Sequence, residues 1–368
     1  MTIFKPLAAD DRVSTKTLLH EAIPITGTIV SGTYSDNNIQ DFTHGMFQSV
    51  YDYPYLSSSA NHIFDITFGT SDTSVLVVSN QIAKKDNIYN QMAQVLMGYD
   101  QNGAIQKFDE DGDLTTTGDK LNDVSLLSFS RLLTKDEIKK GSFELEMGSL
   151  AAYDTAGALF SERIKLVDFG ADTSYKVNSP AGEYGILYAT ASAGTGILDT
   201  ASTHTASLSD GNTYWKAGLI YYQAGVAVVT SSVFMASSEG GFLVNGNALW
   251  DADSNSFTGS LIGEQISGSA DGFRNRMYNL QFNNTIELNS TVYFCRAKHN
   301  EFNYSANPTY LSGSQIRVKN QGTDAPVSYI TSIGLYSADN QLLAVGKFSE
   351  PIRKDSNIEL TFRARLDY

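Results

Sequence analysis

Two apolar runs set about a three-residue break constrain this fold more than any other feature. Leu219, Ile220, Tyr221 and Tyr222 form the first run; Val226, Ala227, Val228 and Val229 form the second; Gln223-Ala224-Gly225 separates them. Two β-prone runs about a short Gly-containing connection read as a hairpin. Neither run alternates polar with apolar, so both strands are expected to bury both faces, as in the middle of a sandwich. The stretch from Trp215 to Phe234 is therefore expected to sit at the centre of a β body.

The grammar is β from Leu150 onward. Strands are expected at Ile164–Phe169, Tyr184–Ala191, Tyr214–Tyr222, Val226–Phe234, Thr285–Leu288 and Val292–Ala297, with Gly, Ser, Asn and Asp between them. Tyr329–Tyr336 and Gln341–Phe348 flank Ser337-Ala338-Asp339-Asn340 and read as a second hairpin. Leu360, Phe362, Ala364 and Leu366 alternate with polar residues, which predicts a half-exposed strand at the end of the chain. Trp250–Arg276 reads as a long polar loop, a contact or insertion element.

The first half is less regular. Residues 1–60 scatter their apolar side chains without a period, and Tyr51, Tyr53 and Tyr55 cluster around Pro54. Such a stretch is expected to be an extended arm that orders by packing on its own body or on a neighbouring subunit. Ile63–Phe68 alternates as a strand, and Val75–Val78 continues the sheet or opens a helix. Ile88, Met92, Val95, Leu96 and Tyr99 make one helical stripe, with Asp86 as N-cap and Gly98 at its end. A second helix is expected at Lys135–Lys140, where Thr134 and Glu137 have capping-box spacing. Phe143, Leu145 and Met147 alternate with Ser142, Glu144 and Glu146 as a strand. The fold class is then mainly β with a small α+β N-terminal part. It divides into an arm at 1–60, an α+β region at 61–148 and a β-rich sandwich or barrel-like body at 149–368, with a long loop insertion near 250–276.

Composition narrows the function classes. The net charge is −14, only 18% of residues are charged, and the longest basic clusters are the pairs Lys84-Lys85 and Lys139-Lys140, read as solvated helix ends. Nucleic-acid binding needs a basic stripe and anionic membranes need a polybasic patch, so neither partner is expected. The 20 tyrosines suit surfaces that meet other proteins. Cys295 is the lone cysteine, which excludes an internal disulfide and fits folding in a reducing cytoplasm. Met1–Asp10 lacks the apolar core of a signal peptide, and no apolar run is long enough to span a bilayer.

Sites for chemistry are sparse. Asp109, Asp111 and Asp113 occupy positions one, three and five of a calcium-loop pattern, but Leu114 stands where position six needs Gly and Lys120 where position twelve needs Glu. They are weak calcium candidates, better read as a solvated acidic turn. The histidines, His20, His44, His62, His204 and His299, share no metal-site spacing. Neither a nucleophile elbow nor a phosphate loop is present. Glu144 and Glu146 alternate outward on a strand, so exposure explains them better than acid–base work. No catalytic residue and no cofactor are expected, and an enzymatic role is not.

Tyr293-Phe-Cys-Arg-Ala-Lys-His-Asn-Glu-Phe-Asn-Tyr-Ser-Ala-Asn-Pro-Thr-Tyr310 resembles a block found in virion structural proteins of tailed bacteriophages. Tyr329-Ile-Thr-Ser-Ile-Gly-Leu-Tyr336, Leu342–Ile352 and Phe362–Tyr368 resemble further blocks of that group. Ser31–Asp36 and Asp52–Leu56 look like its opening, notably in contractile-tailed phages of cyanobacteria and other aquatic bacteria. The likeness runs along most of the chain and carries no catalytic signature. It implies a non-enzymatic part in the tail or baseplate, or in the neck, made in the host cytoplasm and incorporated in the virion. Its implied partners are other virion proteins and copies of itself. Tyr51, Tyr53, Tyr55, Asn303, Tyr304 and Tyr310 are the candidate subunit contacts. The rival expectation is a carbohydrate-binding or adhesin-like β-sandwich, in which Trp215 or Trp250 would stack on a glycan.

Overall fold

The central hairpin forms as its two runs predict. Tyr221 pairs with Val226, Ile220 with Ala227, Leu219 with Val228 and Gly218 with Val229, in antiparallel register. Successive side chains leave a strand on opposite faces, so the pair feeds two cores at once. Leu219, Tyr221, Val226 and Val228 enter one hydrophobic cluster; Ile220, Tyr222, Ala227 and Val229 enter another. Both faces are covered, and this is the physical reason that the runs carry no polar alternation.

The computed structural model describes residues 4–23, 36–74, 80–115, 119–130, 137–148, 162–193, 197–244, 264–305, 309–313, 315–316 and 321–368. The elements, in chain order, are β1 (Arg12–Ile23), β2 (Ile39–Asp41), β3 (Gln48–Tyr51), β4 (His62–Thr70), α1 (Ile82–Leu96), β5 (Asp123–Ser128), β6 (Glu137–Ile138), β7 (Glu144–Gly148), β8 (Arg163–Val167) and α2 (Ala171–Ser174). They continue with β9 (Lys176–Ser179), β10 (Gly182–Ala193), β11 (Thr205–Ser207), β12 (Thr213–Tyr221), β13 (Val226–Thr230), α3 (Ile266–Arg276) and β14 (Met277–Ala297). The last are β15 (Leu311–Ser312), β16 (Gln315–Ile316), β17 (Val327–Tyr336), β18 (Leu342–Asp355) and β19 (Leu360–Asp367). Strands take 47% of the chain and helices 14%, so the protein is mainly β.

The chain forms two compact units, His20–Ile286 and Met1–Leu19 with Glu287–Tyr368. In the larger one, the start of β14 pairs with β7, and the sheet continues through β8, β10, β12, β13, β5, β4 and β3 to β2. Five strands separate β14 from β5 in this order. Yet the rings of Phe282 on β14 and Phe129 at the end of β5 are 5.4 Å apart, and Phe143 lies 5.9 Å from Phe129. A flat sheet would hold β14 and β5 roughly 29 Å apart at about 4.8 Å per strand step. The sheet therefore curls until its distant strands share one core, as in a barrel. On the other face, Ile88, Tyr89, Ala93 and Leu96 of α1 pack with Val124, Leu126, Leu219 and Val228. In the smaller unit, β14 from Ser290 to Ala297 pairs with β19, and β17 pairs with β18.

Several expectations are corrected. Residues 1–60 are not a single arm: β2 and β3 belong to the main sheet, Ser49 and Val50 are fully buried, and the first nineteen residues go to the smaller unit. The expected boundaries at 60/61 and 148/149 both fall inside His20–Ile286. The helix α1 starts at Ile82 rather than after Asp86, and the residue that caps it, Gln81, is left-handed with φ +53°. Its buried side runs through Lys85, Ile88, Tyr89, Ala93 and Leu96, while Val95 and Tyr99 are exposed. Lys85 is thus no solvated helix end: it is fully buried, donates to the Glu264 carbonyl at 2.5 Å, and lies 5.4 Å from the Phe68 ring centroid.

The expected helix at Lys135–Lys140 is instead the short strand β6, which pairs with Asn284 and Thr285; Thr134 to Asp136 lie outside the described residues. Glu146 is buried rather than outward, held by Arg163 Nε at 2.8 Å and by the Ser192 hydroxyl. Thr285–Leu288 and Val292–Ala297 are one strand, because Asn289 exchanges backbone hydrogen bonds with Tyr368 across what reads as a break. Part of the expected loop at 250–276 is the helix α3, whose Ile266, Ala270 and Phe273 are buried; 245–263, with Trp250, and Val75–Val78 lie outside the described residues.

Candidate functional site

The acidic loop between α1 and β5 carries the densest charge. Leu114, at position six, takes the left-handed conformation with φ +60°, and 116–118 lie outside the described residues. The carboxylates of Asp109, Asp111 and Asp113 come within 4.8 Å of one another. Lys120, at position twelve, ion-pairs with the buried Asp109 and donates to the Thr115 carbonyl, position seven, at 2.6 Å. The loop closes on an ammonium group supplied by the chain itself.

Beside it lies an ionic cluster that spacing did not announce. Glu110 is buried; Lys216 of β12 reaches one of its oxygens at 2.5 Å, and His204 Nδ1 contacts the other. His204 Nε2 faces the Gly240 carbonyl at 3.0 Å. Both ring nitrogens point at acceptors, so both must donate, and the ring is an imidazolium. Burial alone would lower its pKa, but Glu110, Gly240 and Asp119 together hold it above the ordinary value. With both oxygens of Glu110 engaged by cations, the cluster clamps the acidic loop to the sheet. Ninety-four residues separate Glu110 from His204, and no local pattern could have paired them.

Asp168 is a strongly perturbed acid. It follows β8, is fully buried, and accepts the Gly141 N–H at 2.7 Å, the Phe143 N–H at 3.0 Å and the Tyr222 hydroxyl at 3.0 Å. Burial pushes its carboxyl up to about 7 against the pull of those donors. Its partners are two main-chain amides and a buried phenol, so its role is to pin the turn before β7 to the sheet.

A groove of about 290 Å³ is lined by Met46, Phe47, Ile66, Ile88, Met92 and Leu126. Two of its polar groups have internal partners: Asp65 accepts from Ser49 and from His62 Nε2 at 2.7 Å, and Thr67 donates to the Met46 carbonyl. Both therefore point their hydrogen bonds into the protein rather than into the groove.

The subunit-contact candidates fall in two places. Tyr51 is half-buried, donates to Gln40 Oε1 at 3.0 Å and meets the His62 ring edge-on, whereas Tyr53 and Tyr55 are exposed. Asn303 accepts from Lys354 Nζ at 2.6 Å and donates to the His299 carbonyl at 2.7 Å, so it anchors its own unit. Tyr304 is exposed and lies edge-on to Tyr310, at 6.3 Å; residues 306–308, with Asn307 and Pro308, are outside the described set. Trp215 is 7% exposed and its Nε1 donates to the Asp199 carbonyl at 3.0 Å, so its ring is not offered to a glycan.

The feature that sequence reasoning did not weigh is the surface of the second hairpin. The base of the β17–β18 ribbon is tied down: Ser328 donates to the Phe302 carbonyl, and the buried Lys354 holds Asn303. The outer half is more open, although the Tyr336 ring meets Phe4 edge-on at 4.7 Å. Tyr336 is 43% exposed, Leu342 54%, Leu343 67% and Val345 60%. The Tyr336 ring and Leu342 lie over Gly334, the cross-strand partner of Val345, so these side chains share one face. The two runs about the turn also held this clue: they set apolar residues on a ribbon that, among the described residues, pairs with no third strand.

No protein-family model, no curated protein and no solved structure matches this chain. No helix among the described residues is long and apolar enough to cross a membrane.

Proposed function

We propose that this chain is a non-enzymatic structural subunit of a tailed-phage virion, held in the tail, baseplate or neck by packing against its neighbours. The observation that carries this reading is the β17–β18 ribbon. A two-stranded ribbon in water is marginal on its own, and its exposed Tyr336, Leu342 and Val345 become favourable only when another surface covers them. The buried acids support the same reading from the other side: Glu110, Asp109 and Asp168 are consumed by internal partners, which gives stiffness rather than turnover. The block resemblance along the chain supplies the setting. The test is immunogold labelling and peptide mass spectrometry of purified virions with an antibody raised against this chain. Labelling at the tail, baseplate or neck is expected; particles that lack the chain refute the proposal.

A further inference from the structure

The charge of the chain is unevenly divided. Met1–Leu19 with Glu287–Tyr368 carries 12 Lys and Arg against 10 Asp and Glu, which leaves 14 against 30 in His20–Ile286. The larger unit therefore holds a net −16 and the smaller one +2. Within Val327–Asp355 the exposed charges balance: Lys347 and Arg353 stand against Asp339 and Glu350, while Lys354 and Asp355 are buried at the base. The exposed apolar side chains thus lie in a segment that is neutral and carries both signs.

From this we infer that the face of the ribbon bearing Tyr336, Leu342 and Val345 is covered by the same face of a second copy of this chain. Two copies meeting through their acidic units would set like charge against like charge, which opposes association. Ribbon against ribbon has no such penalty. The apolar patches cover each other, and a segment with equal numbers of both signs can be complementary to itself, as a two-fold contact requires. The edges of β17 and β18 add main-chain groups to the same region, since among the described residues each strand pairs only with the other. The inference rests on reading the ribbon as an assembly contact, and not on where in a virion the chain resides.

The experiment is sedimentation velocity of the purified full chain, over a concentration series, at about 50 mM and about 500 mM NaCl. Self-association is expected, and it is expected to strengthen with salt. The contact itself is apolar and neutral, while the repulsion between the acidic units is screened at a Debye length that falls to a few ångström. A variant carrying Leu342→Glu and Val345→Glu is expected to weaken the association by about tenfold or more with an unchanged melting temperature, because both side chains are mostly exposed. A wild-type chain that stays monomeric at every concentration overturns the inference. So does association that weakens with salt, which would mark contact between unlike charges, and so does a double variant that associates as the parent does. Finding the chain in virions while it stays monomeric alone would sink this inference and leave the functional proposal standing. Salt-strengthened self-association of a chain that virions lack would do the reverse.

Discussion

Replacing Asp168 with asparagine keeps the size of a fully buried side chain and removes its charge. Two forces act on the native carboxyl. Three donors, from Gly141, Phe143 and Tyr222, favour the ionised form, while burial opposes it and wins, moving the pKa from 3.8 to about 7. The folded value lies above the unfolded one. The stabilisation from this group is therefore complete below about pH 4 and is lost as pH rises through about 7. About three pH units at 1.36 kcal/mol each give about 4 kcal/mol over the full window, and about 3 kcal/mol of that falls between about pH 5 and pH 8. An asparagine at this position does not titrate, and it imposes instead a constant offset. Its amide turns an N–H toward one of the three donors and leaves a buried donor unsatisfied, at about 1–3 kcal/mol. Urea unfolding of both proteins, followed by tryptophan fluorescence at steps from about pH 5 to pH 8, isolates the effect, because titrations elsewhere cancel in the difference. The stability of the parent minus that of Asp168→Asn is expected to fall by about 3 kcal/mol from pH 5 to pH 8. A difference that stays flat, or grows in favour of the parent, would mean that the three donors outweigh burial, and would refute the reasoning.

Other outcomes follow from the same geometry. The pKa of His204 is held above 6.5 by Glu110, Gly240 and Asp119 against burial, so its stabilisation is complete below about pH 6.5 and fades as pH rises through the folded value. His204→Gln is expected to cost about 2 kcal/mol at pH 6 and less at pH 9, read by thermal melting; an equal loss at both would count against the imidazolium. Lys120→Met strips the buried Asp109 of its ammonium partner and should destabilise by about 3 kcal/mol in chemical denaturation; no change would show that the pair does not form in solution. Gly218→Ala places a Cβ well inside van der Waals distance of the Val228 carbonyl oxygen, at φ +155°, where neither backbone can yield. A loss of about 3 kcal/mol or more is expected, and a variant that melts with the parent would contradict the register of β12 on β13.

What could be read in advance depended on how local the deciding force was. The central hairpin was legible because Leu219–Tyr222 and Val226–Val229 decide their own conformation and burial together. The second hairpin, Tyr329–Tyr336 with Gln341–Phe348, was legible through its two runs and the turn between them, but β18 continues to Asp355, beyond the expected end. The start of α1 was not. Asp86 looks like a cap, but Gln81 is fixed by a tertiary contact, its side-chain oxygen accepting from the Ile266 N–H at 3.1 Å. Nor was the continuity of β14 visible, since Asn289 reads as a break and becomes a strand residue only when Tyr368 pairs with it. The barrel-like curl rests on Phe129 meeting Phe282, and the ionic clamp on Glu110 meeting His204 and Lys216. Those partners lie far apart along the chain, beyond any window in which periodicity or spacing operates. Lys85 misled for a different reason: its long aliphatic stem lets a charged residue pass as surface while it lies in the core.

The smaller unit is built from both distant stretches of the chain, Met1–Leu19 and Glu287–Tyr368. During synthesis the first of these must wait, its partners not yet translated, while His20–Ile286 has all it needs to close its own sheet. The ribbon leaves the ribosome after that body is complete. A polypeptide that stops before the ribbon can thus acquire the acidic body without the exposed apolar face of Tyr336, Leu342 and Val345.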